Sequence, residues 1–133
     1  MLFRSDQVVE KALKYELEQR IPELVGNIYP TNAPETATKP YLVYARINTD
    51  KGKTLEGFTG DQALSYMFSC MARGYGDMKS LTDKVEAFLL SLPGTEIGAD
   101  HTHVEDLNLN NVSEVWEPEL KVNRGIIDFT IYT

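Results

Sequence analysis

Apolar residues near the start of the chain recur at helical spacing: Val9, Leu13, Leu17 and Leu24, with Glu16, Glu18, Gln19 and Arg20 on the other side. Ser5 stands where a side-chain oxygen can cap a helix, so the pattern predicts one from about Asp6 to Arg20. Pro22 and Gly26 punctuate the adjoining turn, and Pro30, Pro34 and Pro40 predict a loop over Ile28 to Lys39. The period then changes. Pro40-Tyr41-Leu42-Val43-Tyr44-Ala45-Arg46-Ile47 is dense in β-branched and aromatic residues, and Asp50-Lys51-Gly52-Lys53 offers turn chemistry. A strand and a hairpin are expected there, with a short return over Lys53 to Phe58.

From Gln62 to Ala72 the alternation has period two. Leu64, Tyr66, Phe68, Cys70 and Ala72 share an apolar face, and Ala63, Ser65, Met67, Ser69 and Met71 share a mixed one. Gly74 and Gly76 end this strand, Asp77 is the expected N-cap, and Leu81, Val85, Phe88, Leu89 and Leu92 trace a helical stripe that Pro93-Gly94 stops. Two more strands are predicted, one near His103 to Leu109 and one from about Lys121 to Tyr132. In the second, Ile127, Phe129 and Ile131 oppose Ile126, Asp128 and Thr130.

The resulting order, α-β-β-β-α-β-β, predicts an α+β fold. Its sheet should be mixed but mostly antiparallel, of about four to five strands, with two helices packed on one face. At 133 residues the chain fits a single domain, 1–133, which buries roughly two-thirds of the surface its unfolded form exposes.

Composition narrows the function. Hydrophobic residues make up 42% and charged residues 25%, as in folded soluble domains. A formal charge of −7 argues against a protein that neutralises phosphates, so specific nucleic-acid binding is not expected. The N-terminal Met1 to Asp6 turns polar too soon for a signal peptide. No run approaches the roughly 20 apolar residues of a membrane span, so no membrane partner is expected. With a single cysteine, Cys70, an internal disulfide is excluded and a reducing compartment is allowed.

Candidate chemistry is thin. His101-Thr102-His103 could place two imidazoles on one strand face, with oxygens from Asp100 or Glu105, for a metal-assisted hydrolase. Two ligands leave a metal shell incomplete, and solvated polar residues fit the same pattern. Cys70 lies on an apolar strand face, where a thiol packs as a small hydrophobe and has no base in reach. Gly57-Phe58-Thr59-Gly60 and Gly74-Tyr75-Gly76 lack the spacing of phosphate loops. No catalytic residue, metal or cofactor is therefore expected. The aromatics Tyr41, Tyr44, Phe58, Tyr66 and Trp116 leave two readings open: completion of the core, or anchors of a protein interface.

Several segments, in order, carry a resemblance. They are Ile28-Tyr29-Pro30, Lys39-Pro40-Tyr41-Leu42-Val43-Tyr44, Thr59-Gly60-Asp61 leading to Ala72-Arg73, the helix Met78 to Val85, Trp116-Glu117-Pro118-Glu119, and Arg124-Gly125-Ile126-Ile127-Asp128-Phe129. Across nearly its whole length the chain resembles the tail-completion, or tail-to-head-joining, proteins of long-tailed phages and prophages. The resemblance implies a structural protein without catalytic residues, assembled as a closed ring, commonly a hexamer. Such a ring caps the tail tube and meets the head connector at the head–tail joint of the virion, after assembly in the host cytoplasm. Its partners would be other copies of itself, the tail tube protein and the connector, with DNA passing through unbound. On this reading Tyr44, Arg46, Phe58 and Trp116 are the expected oligomer-interface residues, and Asn48 to Gly60 is the segment expected to order on contact. A third class, an adaptor binding another protein at an exposed sheet edge, fits the strand content equally.

Overall fold

Helix α1 spans Ser5–Arg20 and buries Val9, Ala12, Leu13 and Leu17, the stripe that the sequence sets at three- and four-residue intervals. The computed structural model describes residues 5–34, 40–54 and 57–133, and their side chains except those of 5–7 and 48–62; the cap expected from Ser5 lies outside those side chains. A single 3₁₀ turn, Pro22–Leu24, comes after α1 and drops Leu24 into the core.

The expected loop from Ile28 contains a strand instead. Residues Ile28–Pro30 form β1 and pair parallel with β2, Tyr41–Thr54, placing Ile28 beside Leu42 and Pro30 beside Tyr44. A sheet edge tolerates Pro30 because no ladder bond is asked of its missing N–H.

The hairpin is longer than the sequence predicts. Asp50-Lys51-Gly52-Lys53, expected as the turn, lies inside β2, and β3 runs unbroken over Gly57–Ala72. Of the predicted short return, Lys53 and Thr54 belong to β2, and Gly57 and Phe58 open β3, which continues into the strand predicted from Gln62. Register shifts between Arg46 and Asn48 and between Lys51 and Lys53 absorb the irregular residues, and Gly52 falls within the second of them.

Helix α2, Tyr75–Leu90, starts one turn earlier than expected. Gly74 is its N-cap in extended geometry, and Asp77 sits in the first turn, where its charge complements the helix dipole. Residues Glu96–Ile97 (β4) and Thr102–His103 (β5) form a small separate ladder. The strand expected near His103–Leu109 is displaced: β6 runs Asp106–Glu117 and pairs antiparallel with β7, Val122–Tyr132.

The main sheet has the order β1-β2-β3-β7-β6, and every pairing but the first is antiparallel. This is the α+β, mixed-sheet architecture the sequence predicts. Leu42, Leu64, Tyr66, Phe68, Cys70, Ile127, Phe129 and Ile131 on one sheet face join the stripes of α1 and α2 in one core. Tyr66 stacks on Phe129 with ring centroids 5.8 Å apart, and Phe68 meets the same ring edge-on at 4.7 Å. Where α2 crosses β7, Gly125 makes room: a Cβ there would collide with Thr82 and touch Met78.

Candidate interaction surface

With both helices on one side, the sheet's second face carries the alternate residues. Tyr41, Met71 and Val122 are buried there in a small cluster of their own, flanked by Tyr29, Ala33 and Val43. Tyr29 meets Tyr41 edge-on at 6.0 Å. A groove of ≈ 400 Å³ runs beside this cluster, floored by Val43, Ala45, Met67, Ser69 and Met71 and bounded by Leu120 and Arg124.

Two charges on β7 mark this face. Arg124 is held by Glu117, at 3.1 Å from Nη1, and donates to Ser69 Oγ at 3.0 Å from Nε. Asp128, opposite Met67 in the ladder, has its Oδ1 buried with no hydrogen-bond donor among the described residues. A buried acceptor left unmatched is costly, so this oxygen favours any arrangement that supplies a donor.

The expected interface residues are spread across the sheet. Tyr44 lies on the helix-covered side, half-buried against the core next to α1. Burial, and then the nearby carboxylate of Glu10, push its pKa up. Arg46 is on the same side, opposite Tyr66 in the ladder and exposed. Phe58 belongs to the outer part of the hairpin, opposite Lys53; its side chain lies outside those described. Trp116 stands on the far edge strand, β6, and is 53% exposed. Tyr44 and Arg46 thus come together on β2, while Trp116 is three strands away. Of the remaining aromatics, Tyr66 and Tyr41 are buried within the chain.

The histidine pair does not share a strand face. His101 sits in the turn before β5 with a positive φ of 54°, and its Nδ1 is 4.0 Å from Glu96. His103 Nε2 is 3.6 Å from Glu105. Each imidazole faces its own carboxylate, and among the described residues no three His, Cys, Asp or Glu side chains gather as metal ligands. Cys70 is fully buried and burial pushes its pKa up to about 12, which keeps the thiol protonated.

The family model described as "Tail completion protein gp17" matches residues 18–133. The chain belongs to this family. It is a phage tail-completion protein, a structural component of the tail. Among solved structures, a chain from the "Virion of native gene transfer agent (GTA) particle" has the same fold. The TM-score is 0.62 at 15% identity, over 93% of this chain and 96% of that one. No curated protein matches by sequence.

The open sheet face of this tail-completion protein was not singled out from its sequence. The available signal was the mixed face of β3, whose Met67 and Met71 are apolar for a solvated surface, together with Ile126 on the same side of β7. Asp128 gave none, because an aspartate on the polar side of an alternating strand reads as solvated.

Proposed function

We propose that this tail-completion protein assembles into a closed ring that caps the finished tail tube and joins the tail to the head connector. Family membership over residues 18–133 is the observation that carries this reading. The virion origin of the similar solved chain supports a place in the particle, at the head–tail joint, following assembly in the host cytoplasm. The partners are then other copies of the chain, the tube protein and the connector protein, and the role is structural rather than catalytic.

The distribution of apolar surface suits a ring. The exposed Trp116 and Val115 lie on one edge strand, whereas Tyr44 and Arg46 lie toward the opposite edge. A contact between unlike patches is heterologous, and repeated by rotation it closes into a ring. In this arrangement Trp116 is an anchor of the size and polarity that interfaces favour, and Tyr44 contributes its outer rim. The net charge of −7 supports a bore to which DNA does not stick: where acidic side chains line it, DNA meets like charge and slides past.

Light scattering on the purified protein, alone and with purified tail tubes, tests the ring. The expected result is a monomer alone and a ring on tubes. A chain that neither oligomerises nor binds tubes contradicts the proposal. A stable hexamer at micromolar concentration without tubes keeps the ring but removes the idea that the tail end triggers assembly.

A further inference from the structure

We infer that the ring closes side by side on the helix-covered layer: a patch shared by α2 and β6 and built round Trp116 docks on a basic patch shared by α1 and β2 in the next copy. The inference rests on the ring reading and names the surfaces that make its contact.

The first patch is aromatic and exposed. On β6, Val112 and Glu114 pair with Ile127 and Gly125, which face the helices, so Val112, Glu114 and Trp116 alternate onto the helix side of the sheet. Alongside, α2 presents Tyr75, Lys79 and Asp83 at four-residue intervals. Glu114 ties the two elements, accepting from Lys79 Nζ at 2.7 Å and from the Tyr75 hydroxyl. Tyr75, Val112 and Trp116 stay exposed around that tie. Tyrosine and tryptophan are the residues that interface centres favour. The edge is also acidic: residues 105–119 hold Glu105, Asp106, Glu114, Glu117 and Glu119 and no lysine or arginine.

The second patch carries the opposite charge. Lys11, Lys14 and Tyr15 are exposed at neighbouring positions of α1. Lys14 lines a small cavity with Tyr44 and Ile28, which places this stripe over the β1–β2 edge. Arg46, also exposed, extends it along β2. Tyr44 pairs with Phe68 and Arg46 with Tyr66, two residues of the core, so this patch too lies on the helix side. The acids of α1 are turned inward or engaged: Glu10 is half-buried in the same cavity, Glu16 binds Arg20 and the Gly98 N–H, and Glu18 accepts from the Gly26 N–H. Three cations beside the rings of Tyr15 and Tyr44 match an acidic edge with an exposed indole, by charge attraction and by cations over the ring.

One copy cannot bring its own two patches together. In the order β1-β2-β3-β7-β6 the strands that carry Tyr44 and Trp116 are separated by β3 and β7, about 14 Å between strand axes. Complementary patches at opposite edges of one layer meet only between copies, in a head-to-tail contact, the kind that closes by rotation.

Charge reversal tests this. Lys11→Glu with Lys14→Glu reverses one patch, and Asp83→Lys with Glu119→Lys reverses the other; all four residues are exposed, so each double variant should keep the circular dichroism of the native protein. Assembly is followed by native mass spectrometry at high concentration and by binding to purified tail tubes. Each variant alone should assemble at least about tenfold more weakly than wild type. An equal mixture should recover assembly as rings in which the two variants alternate, because each reversed patch then meets its reversed complement. Recovery on mixing also excludes misfolding as the cause of the loss. Variants that assemble as wild type does, even if they fail to join heads, overturn the contact and leave the ring standing, and so does a mixture that stays unassembled. Wild-type protein that forms no ring under either condition contradicts the ring and the contact together. Trp116→Ala gives a reading independent of charge: it should weaken assembly about tenfold or more, and unchanged assembly overturns the place of Trp116 in the contact.

Discussion

Residue by residue, burial decides what the side chains can do. Cys70 is sealed between sheet and helices with its pKa pushed up to about 12. Iodoacetamide at pH 8 should therefore leave the native protein unmodified and label it only on unfolding; rapid labelling of folded protein would contradict this. Phe129 is the ring that Tyr66 and Phe68 share, so Phe129→Ala should cost about 3–5 kcal/mol in a urea titration. Gly125→Ala should cost about 1–3 kcal/mol, since the added methyl meets Thr82, itself tied to the Met78 carbonyl at 2.8 Å. At this scale the sequence was readable wherever alternation was strict. The buried residues Leu64, Tyr66, Phe68, Cys70, Ile127, Phe129 and Ile131 come directly from period two. Gly125 and Asp128 were not readable, because their meaning depends on which element passes over them.

Elements were legible where one period dominated and illegible where punctuation misled. The stripes of α1 and α2 placed both helices, and only the start of α2 moved, from Asp77 to the turn begun at Gly74. Gly52, Gly57 and Gly60 read as turns but lie within a long hairpin, since a bulge can absorb a glycine that the ladder then bridges. Likewise β6 continues to Glu117 through Asn110, Asn111 and Ser113, residues of weak strand propensity, because pairing with β7 outweighs local preference.

One tie between elements depends on pH. Lys79 of α2 binds Glu114 of β6 at 2.7 Å. The hydrogen bonds from Lys79 and then Tyr75 lower the Glu114 pKa from its ordinary 4.5, and Glu114 raises those of Lys79 and Tyr75. The depressed carboxylate contributes above its unfolded pKa and is lost as pH falls through the folded one. The raised lysine and tyrosine contribute below theirs and are lost as pH rises. Lys79→Ala should thus lower the urea midpoint slightly at pH 7 and by less as the pH falls below the ordinary carboxylate range, the pair being solvent-exposed. An equal shift at pH 7 and in acid would contradict the tie.

For the whole molecule, the fold and family were accessible from sequence because they rest on order and spacing distributed over many segments. The open sheet face was not, because it depends on which side of the sheet the two helices cover. Of the four residues expected at the interface, Trp116 stands exposed on an edge strand and Tyr44 is half committed to the core. The central claim is that this chain completes the tail and joins it to the head. Electron microscopy of particles assembled without it tests that claim most directly. Full heads beside unjoined, overlong or ragged tails are the predicted result; normal, joined virions would contradict the account.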